Sequence, residues 1–166
     1  MAATLAGATK SDIASVLQTF TGLPHRLEFV RELNGVKYYD DSIATNPESA
    51  IAGIESFDAP KILILGGVTE GSTFDTLGEM IAKSKSIKAI VGIGKEWPTI
   101  KSQVLSHKSQ VMLIEGAKDM KSIVAAAVKI AQPGDIVLLS PACKSFDMFK
   151  DYKQRGDLFK QEVLKL

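Results

Sequence analysis

Four short apolar segments recur along the chain, separated by stretches with helical spacing. They are KILILGG (61–67), KAIVGIG (88–94), QVMLIEG (110–116) and DIVLLSP (135–141). Their continuous hydrophobicity indicates strands that are covered on both faces, as in a parallel sheet. A helix is expected over 118–131, where apolar residues form one stripe that ends at Gln-Pro-Gly. The pattern predicts an α/β protein with a Rossmann-like, doubly wound, mostly parallel sheet.

One β-hairpin is expected before these segments. Asn34-Gly35 separates RLEFVREL from VKYYDD, and an Asn-Gly pair supplies the two positive-φ residues that a tight hairpin turn prefers. The hairpin should place an antiparallel strand pair at one edge of the sheet. An earlier helix is expected over roughly 13–20, with Ser11 or Asp12 as its cap.

Composition excludes several classes of protein. The chain of 166 residues has 20 basic and 19 acidic side chains and a formal net charge of +1, so no broad field would attract nucleic acid or an anionic membrane. The single cysteine, Cys143, rules out an internal disulfide and a cysteine-based zinc site. No apolar run reaches the ~20 residues that span a bilayer, and no secretion signal is evident. We therefore expect one domain in the cytoplasm.

Ligands of doubly wound sheets bind beyond the carboxyl ends of the strands, so the loops at that edge are the candidate sites. They are 40–47, 66–74, 94–97, 115–117 and 140–147. LGGVTEGSTF (65–74) would let backbone amides approach an anion. It is not a Walker loop, because the required lysine is missing and Glu70 occupies the loop. A tight turn that feeds a helix is the alternative.

The stretch DDSIATNPESA (40–50) combines a helix start with four polar residues of unknown duty. Asn46 before Pro47 is a strong cap and first helical residue. The pattern assigns no structural duty to the polar residues before them: Asp40, Asp41, Ser42 and Thr45. By itself, the stretch is equally compatible with a binding loop and with an ordinary connection.

The stretch SPACKSFDMFKDYKQRG (140–156) brings Ser140, Lys144 and Ser145 to a strand end. We expect a helix with aromatic residues next, ending near Arg155-Gly156. The start of that helix would offer free N–H groups to a carboxylate or phosphate. The alternative is a serine cap followed by an aromatic core stripe.

A catalytic cysteine is not expected. We expect Cys143 to be a buried core residue. The only histidines, His25 and His107, lie in unrelated sequence contexts, and neither is placed to act as the base of a catalytic cysteine.

Taken together, four segments resemble the C-terminal domain of the Mur ligase family. They are TFTGLPHRLEFV, YYDDSIATNPESA, LILGGVTEGSTF and GDIVLLSPACKSFDMFKDYKQRGDLF, in this order and spacing. The resemblance covers nearly the whole chain. It implies that residues 1–22 are the end of a preceding ATP-binding domain and that 23–166 form the C-terminal domain, with one antiparallel pair at the edge of a Rossmann-like sheet.

The resemblance implies part of an ATP-dependent ligase, similar to the members that join D-glutamate to UDP-N-acetylmuramoyl-L-alanine for peptidoglycan precursors. In those enzymes ATP phosphorylates the substrate carboxylate, and the glutamate amine attacks the acyl phosphate. The P-loop and the Mg²⁺ ligands belong to the central domain. ATP and Mg²⁺ are therefore implied for the full-length enzyme, with no metal ligand and no catalytic residue here. We expect a monomer that is inactive as an isolated domain.

The resemblance also implies roles for individual residues. Arg26 would contact the phosphates or base of ATP, and Asp41 would contact the ribose. A guanidinium offers a planar fork of donors and a carboxylate accepts hydroxyl hydrogen bonds, so both residue types suit these roles. The positions that match the amino-acid pocket are Thr45, Ser145, Phe146 through its backbone, and Tyr152.

Two positions depart from the family pattern. Glu70 stands where a lysine usually pairs with a glutamate carboxylate, and Ile43 stands where a second lysine is usual. A reversed charge at position 70 would repel that carboxylate by roughly a few kcal/mol in a desolvated site. Three explanations stay open: Lys144, His25 or another cation takes over, a different amino acid is joined, or ligation has been lost. A stand-alone module that binds a nucleotide or a protein is the alternative outside catalysis.

Overall fold

Six strands and seven helices are described by the computed structural model, which covers residues 2–69 and 71–166. The helices are α1 (Ala2–Leu5), α2 (Lys10–Thr19), α3 (Pro47–Glu55), α4 (Asp75–Lys83), α5 (Trp97–Ser106), α6 (Met120–Val128) and α7 (Tyr152–Leu164). The strands are β1 (Glu28–Leu33), β2 (Val36–Asp40), β3 (Lys61–Gly66), β4 (Ile87–Ile93), β5 (Met112–Ile114) and β6 (Ile136–Leu139).

The strands form one sheet in the order β1-β2-β6-β3-β4-β5. All neighbours are parallel except β1, which pairs antiparallel with β2 at the edge. The predicted fold class is therefore confirmed. Because β6 lies between β2 and β3, the loops that follow these three strands are neighbours at the carboxyl edge of the sheet.

The edge hairpin forms as the sequence predicted. Asn34 and Gly35 have φ values of 52° and 77°, and Leu33 pairs directly with Val36. Both turn residues are thus in the left-handed region that Asn-Gly favours.

Each face of the sheet carries its own layer of helices and its own hydrophobic cluster. α3, α4 and α5 pack against one face and α6 and α7 against the other. β3 is buried at all six positions, and its side chains alternate between the two clusters, with Leu63 and Leu65 in one and Ile62 and Ile64 in the other. This two-sided burial explains why the strand sequences are continuously apolar. Within 2–69 and 71–166, no helix has the length and apolar character needed to cross a membrane.

Several predicted boundaries are wrong at the ends of elements. The cap of α2 is Thr9, and neither Ser11 nor Asp12 caps the helix. Asp12 instead lies at the third helical position, where its carboxylate accepts from the Thr9 amide in a capping box. α6 begins after the Asp119 cap and is shorter than 118–131, and β5 keeps only three residues of 110–116.

The predicted helix that ends near Arg155-Gly156 is also wrong. Residues 145–151 form turns, and α7 begins at Tyr152 with Asp151 as its cap. The Asp151 side chain accepts from the amide of Gln154 at 2.8 Å. α7 therefore begins close to the position at which the predicted helix ends, and the loop after β6 is longer than expected.

The cap of α3 gives a direct test of how its first turn is held. The side-chain oxygen of Asn46 accepts from the amide of Ser49 at 2.8 Å, and Pro47 is the first helical residue. Asn46→Ala should lower the free energy of unfolding by about 1 kcal/mol, because the Ser49 amide loses its acceptor. Urea denaturation measures the change, and Asn46→Asp, which keeps an acceptor, is the control. Equal stability of all three proteins would contradict the assignment.

Candidate functional site

The loop after β2 is joined to the loop after β6 by Asp41, which is fully buried. One of its carboxylate oxygens accepts from the Ser140 hydroxyl at 2.8 Å, and the other accepts from the Leu27 amide at 3.3 Å. Burial raises the pKa of Asp41 above its usual value, although these hydrogen bonds oppose the shift. The expectation that Asp41 has no structural duty is therefore wrong.

Arg26 lies directly beside Asp41. The Nη1 atom of Arg26 is 3.9 Å from the Oδ1 atom of Asp41, and 44% of the arginine side chain is exposed. The pair thus presents a guanidinium to solvent with a buried carboxylate behind it. A charged fork of donors in this position can bind phosphate or another anion.

Asp40 forms a second buried pair that the sequence analysis did not anticipate. Its Oδ2 atom lies 2.8 Å from Nδ1 of His25, and its Oδ1 atom accepts from the Ser42 amide at 2.9 Å. Burial raises the pKa of Asp40, whereas the contact with His25 lowers it. The residues lie 15 positions apart along the chain, so no local pattern could have linked them. Asp40, too, has a structural duty.

His25, Glu28 and Asp40 form the one trio of His, Cys, Asp or Glu within the described ranges that is close enough to share a metal ion. The Nζ atom of Lys160 lies 3.2 Å from both carboxylate oxygens of Glu28. The other Glu28 contact is with the backbone amide of His25 at 2.8 Å. These hydrogen bonds and the ammonium give the acids partners within the protein, so we assign the trio a structural role.

Arg155 locks the two loops together from the first turns of α7. Its guanidinium is fully buried and donates to the Ser42 hydroxyl at 2.9 Å, the Ser42 carbonyl at 2.8 Å and the Cys143 carbonyl at 3.1 Å. Ser42 in turn donates from its hydroxyl to the Tyr152 carbonyl at 2.7 Å. The polar residue Ser42 is therefore structural, contrary to expectation. The sequence pattern marks the Arg-Gly pair only as a helix end, and no local signal indicates that the guanidinium joins the two loops.

The glycine-rich loop after β3 is held against the loop after β6. The Gly66 amide donates to the Pro141 carbonyl at 2.8 Å, and the Val68 amide donates to the Lys144 carbonyl at 2.9 Å. Gly67 has a φ of 143°, and a side chain there would overlap the backbone of Lys144. Two of the amides proposed for anion binding are thus engaged with carbonyls, which favours the alternative of a tight connection. Glu70 lies outside the described residues.

The residues predicted for the amino-acid pocket lie on the same edge but are not all in contact. Ser145 is 2% exposed, and its hydroxyl has no hydrogen-bond partner within 2–69 and 71–166. Tyr152 packs edge-on against His25, with ring centroids 5.9 Å apart. Phe146 is 67% exposed. Neither it nor the half-buried Thr45 shares a hydrogen bond with another predicted site residue in the described part of the chain.

Cys143 is fully buried, as predicted. Burial raises the pKa of its thiol to about 12, although the nearby Arg155 opposes the shift. The thiol is therefore protonated at neutral pH and unsuited to nucleophilic attack.

Comparison with known proteins gives a consistent result. Residues 25–143 match the family described as Mur ligase, glutamate ligase domain. The chain is 42% identical over 156 residues to the UDP-N-acetylmuramoylalanine--D-glutamate ligase of Caldicellulosiruptor saccharolyticus. That alignment covers 94% of this chain and 34% of the relative. The chain thus spans about a third of the length of the curated relatives it matches.

Solved structures of Mur ligases share the fold. MurC from Thermotoga maritima superposes with a TM-score of 0.62 at 11% identity, covering 96% of this chain and 34% of that protein. MurF from the same organism, in complex with ADP, gives a TM-score of 0.55 at 20% identity. That superposition covers 89% of this chain and 33% of MurF. At these identities the likeness concerns the fold alone.

The role of Arg155 can be tested by removing its donors. Arg155→Met should lower the free energy of unfolding by on the order of 3 kcal/mol or more, because the buried carbonyls of Ser42 and Cys143 lose their partners. Arg155→Lys should recover only part of the loss, since one ammonium cannot copy the planar fork. Urea denaturation gives the values.

Arg31→Met is the matched control. Arg31 donates to carbonyls at the end of α7 from a partly exposed position, so its loss should cost less than about 1 kcal/mol. Equal effects at the two arginines would contradict the locking role of Arg155.

The single thiol predicts a simple pH dependence. The pKa of Cys143 is about 12 in the folded state. As the pH rises above the ordinary pKa of a cysteine thiol, the thiol of the unfolded chain therefore loses its proton before the thiol of the folded protein does. The folded state then holds more protons, so the contribution of this group to stability is lost at alkaline pH, by up to about 1.4 kcal/mol per pH unit. Stability curves of the native protein and Cys143→Ala between pH 8 and pH 11, roughly spanning that loss, should converge. Parallel curves would refute the assignment.

Proposed function

We propose, because this chain belongs to the Mur ligase family through its glutamate ligase domain, that it completes the active site of an ATP-dependent UDP-N-acetylmuramoyl-L-alanine:D-glutamate ligase. The observation that carries the proposal is the pairing of Arg26 with Asp41 at the carboxyl edge, 3.9 Å apart. This edge is where doubly wound sheets bind ligands. The relative from Caldicellulosiruptor, named as such a ligase, is 42% identical over nearly the whole chain.

The remainder of the active site would come from a preceding domain. α1 and α2 contribute no buried residue, and apolar side chains in and after them are more than half exposed. These side chains are Leu5, Val16, Leu17, Phe20 and Leu23. Several large apolar side chains this exposed on two successive helices and the segment after them suggest a surface that another domain covers. We therefore assign residues 1–22 to the end of the ATP-binding domain and 23–166 to the C-terminal domain.

ATP would be contacted from this side of the cleft by Arg26 and Asp41. The half-exposed guanidinium of Arg26 can donate to phosphate or base without rearrangement. Asp41 is fully buried and both of its carboxylate oxygens accept hydrogen bonds from within this chain, so the ribose would reach the carboxylate only after a local rearrangement. Until then Asp41 orients Arg26. MurF from Thermotoga maritima, which shares the fold, was solved in complex with ADP, and we place no Mg²⁺ ligand in this chain.

The incoming amino acid would bind next to these residues. The Ser145 hydroxyl is buried without a hydrogen-bond partner among residues 2–69 and 71–166, so it is available to donate to a ligand carboxylate. Thr45, the backbone of Phe146, and Tyr152 complete the pocket. Glu70 at the usual lysine position leaves the identity of the acceptor open between D-glutamate and another amino acid.

Within the complete enzyme, ATP supplies the phosphoryl group that activates the substrate carboxylate. This domain would hold the acceptor amine in line with the activated carbonyl and exclude water from a group that water would hydrolyse. We place the reaction in the cytoplasm and expect a monomer.

The test uses the full-length protein that contains this chain. It is incubated with ATP, UDP-N-acetylmuramoyl-L-alanine and a panel of D-glutamate, L-glutamate and lysine, and both phosphate release and amide product are measured. Glu70→Lys is assayed alongside, because it restores the usual charge. Product that requires ATP and one amino acid supports the proposal; no product with any amino acid contradicts it.

Arg26→Gln tests whether this residue contributes to binding of ATP and not to binding of the amino acid. Loss of one charge-assisted contact should raise the KM for ATP by about tenfold, with little change in the KM for the amino acid. Arg31→Gln removes the same charge from β1, away from the site, and should behave as the native protein. An unchanged KM for ATP in Arg26→Gln would remove Arg26 from the site.

A further inference from the structure

A small cavity of about 190 Å³ lies at the carboxyl edge between the loops after β3, β4 and β6. It is lined by Val68, Thr69, Lys95, Lys144, Phe146 and Asp147. Pockets for drug-sized ligands run from roughly 300 to 1,000 Å³, so this cavity suits a single amino acid rather than a nucleotide. Its lining residues bring two ammonium groups and one carboxylate.

Two buried polar atoms in this region have no hydrogen-bond partner within the described ranges. They are the Ser145 hydroxyl oxygen and the Oδ1 atom of Asp147. Ser145 is 2% exposed and lies in the chain between two lining residues, Lys144 and Phe146. Buried polar groups are nearly always bonded, so an unpaired donor and an unpaired acceptor two residues apart in the chain suit a ligand that has both an acceptor and a donor. An amino acid has both.

Lys95 is held at the cavity by the other half of the Asp147 carboxylate. The Lys95 amide donates to Oδ2 of Asp147 at 2.8 Å, and the next amide, of Glu96, donates to the Gly67 carbonyl at 2.8 Å. Gly94, with a φ of 71°, leaves room for this approach, since a Cβ there would lie 2.5 Å from Oδ2 of Asp147. The turn that carries Lys95 is thus fixed to both neighbouring loops.

The ammonium of Lys95 remains available to a ligand. Its side chain is exposed and makes no ion pair or hydrogen bond with any residue in 2–69 or 71–166. A lysine on a fixed backbone at the mouth of a small cavity is a point charge that can select a carboxylate.

We propose that Lys95 is the specificity-determining cation of the acceptor pocket, binding the side-chain carboxylate of an acidic amino acid. This inference rests on the proposed function, because it concerns the acceptor of the same ligation. The exposed ammonium of Lys95 is complementary to the side-chain carboxylate that distinguishes an acidic amino acid from the others. Asp147 acts as a positioning residue that fixes the turn of Lys95.

Lys95→Gln in the full-length protein tests the assignment. The KM for an acidic acceptor, measured with D-glutamate and L-glutamate, should rise about tenfold or more, because one ion pair to the ligand is lost. The kcat and the KM for ATP should stay within about twofold, since Lys95 touches neither the nucleotide nor the reacting atoms. Lys95→Arg, which keeps the charge, should recover most of the affinity.

Lys129→Gln is the matched control, because Lys129 is an exposed lysine at the end of α6 and its loss changes the net charge equally. It should leave every constant unchanged.

The outcomes separate the two proposals. If the enzyme joins an acidic amino acid and Lys95→Gln keeps its KM, the role of Lys95 is overturned while the ligase function stands. A native enzyme that prefers lysine or a neutral amino acid in kcat/KM overturns it as well. If no amino acid yields product, both proposals fall together. An unchanged KM for ATP in Lys95→Gln shows that the variant is folded.

Discussion

The arrangement of the candidate site depends on one buried guanidinium. Arg155 has no ion-pair partner in 2–69 or 71–166, and its charge is stabilised by the Ser42 hydroxyl and by the carbonyls of Ser42 and Cys143. Burial lowers its pKa to about 10, so it stays charged at neutral pH. Because these contacts join segments 113 residues apart, the loops after β2 and β6 cannot move independently. These contacts fix the loop of Asp41 relative to the loop of Ser145, and Arg26 lies beside Asp41.

Cavity size does not identify the site in this fold. A larger cavity of about 570 Å³ opens between α3 and α4 at the amino ends of the strands. Its buried lysine, Lys61, is already bonded to the Phe57 carbonyl at 2.7 Å and the Ser86 hydroxyl at 2.8 Å. Burial lowers the pKa of Lys61, and acids at 55, 58 and 79 line the same cavity. The Lys61 ammonium therefore has its partners within the protein, whereas the buried Ser145 hydroxyl at the opposite edge has none in the described part of the chain.

Sequence patterns predicted most of the fold because local physics decides it. Continuous apolar runs predict strands buried on both faces, the Asn34-Gly35 pair predicts a left-handed turn, and Asn46 before Pro47 predicts the start of a helix. The structure has all three features. The failures lie where local signals compete. Thr9 caps α2 in place of Ser11, because its hydroxyl and the carboxylate of Asp12 form a reciprocal pair of hydrogen bonds with the backbone. The segment with aromatic residues after β6 forms turns and not a helix.

Residue type and short spacing are enough to predict the class of sheet, the edge hairpin, the burial of Cys143 and the loops that gather at the carboxyl edge. The tertiary structure alone decided the partners: Asp40 with His25, Asp41 with Ser140, Arg155 with Ser42, and Asp147 with Lys95. Each of these contacts joins residues that are 15 to 113 positions apart. Hydrogen bonding acts over about 3 Å, so residues this far apart along the chain become partners only after the sheet has brought their strand ends together.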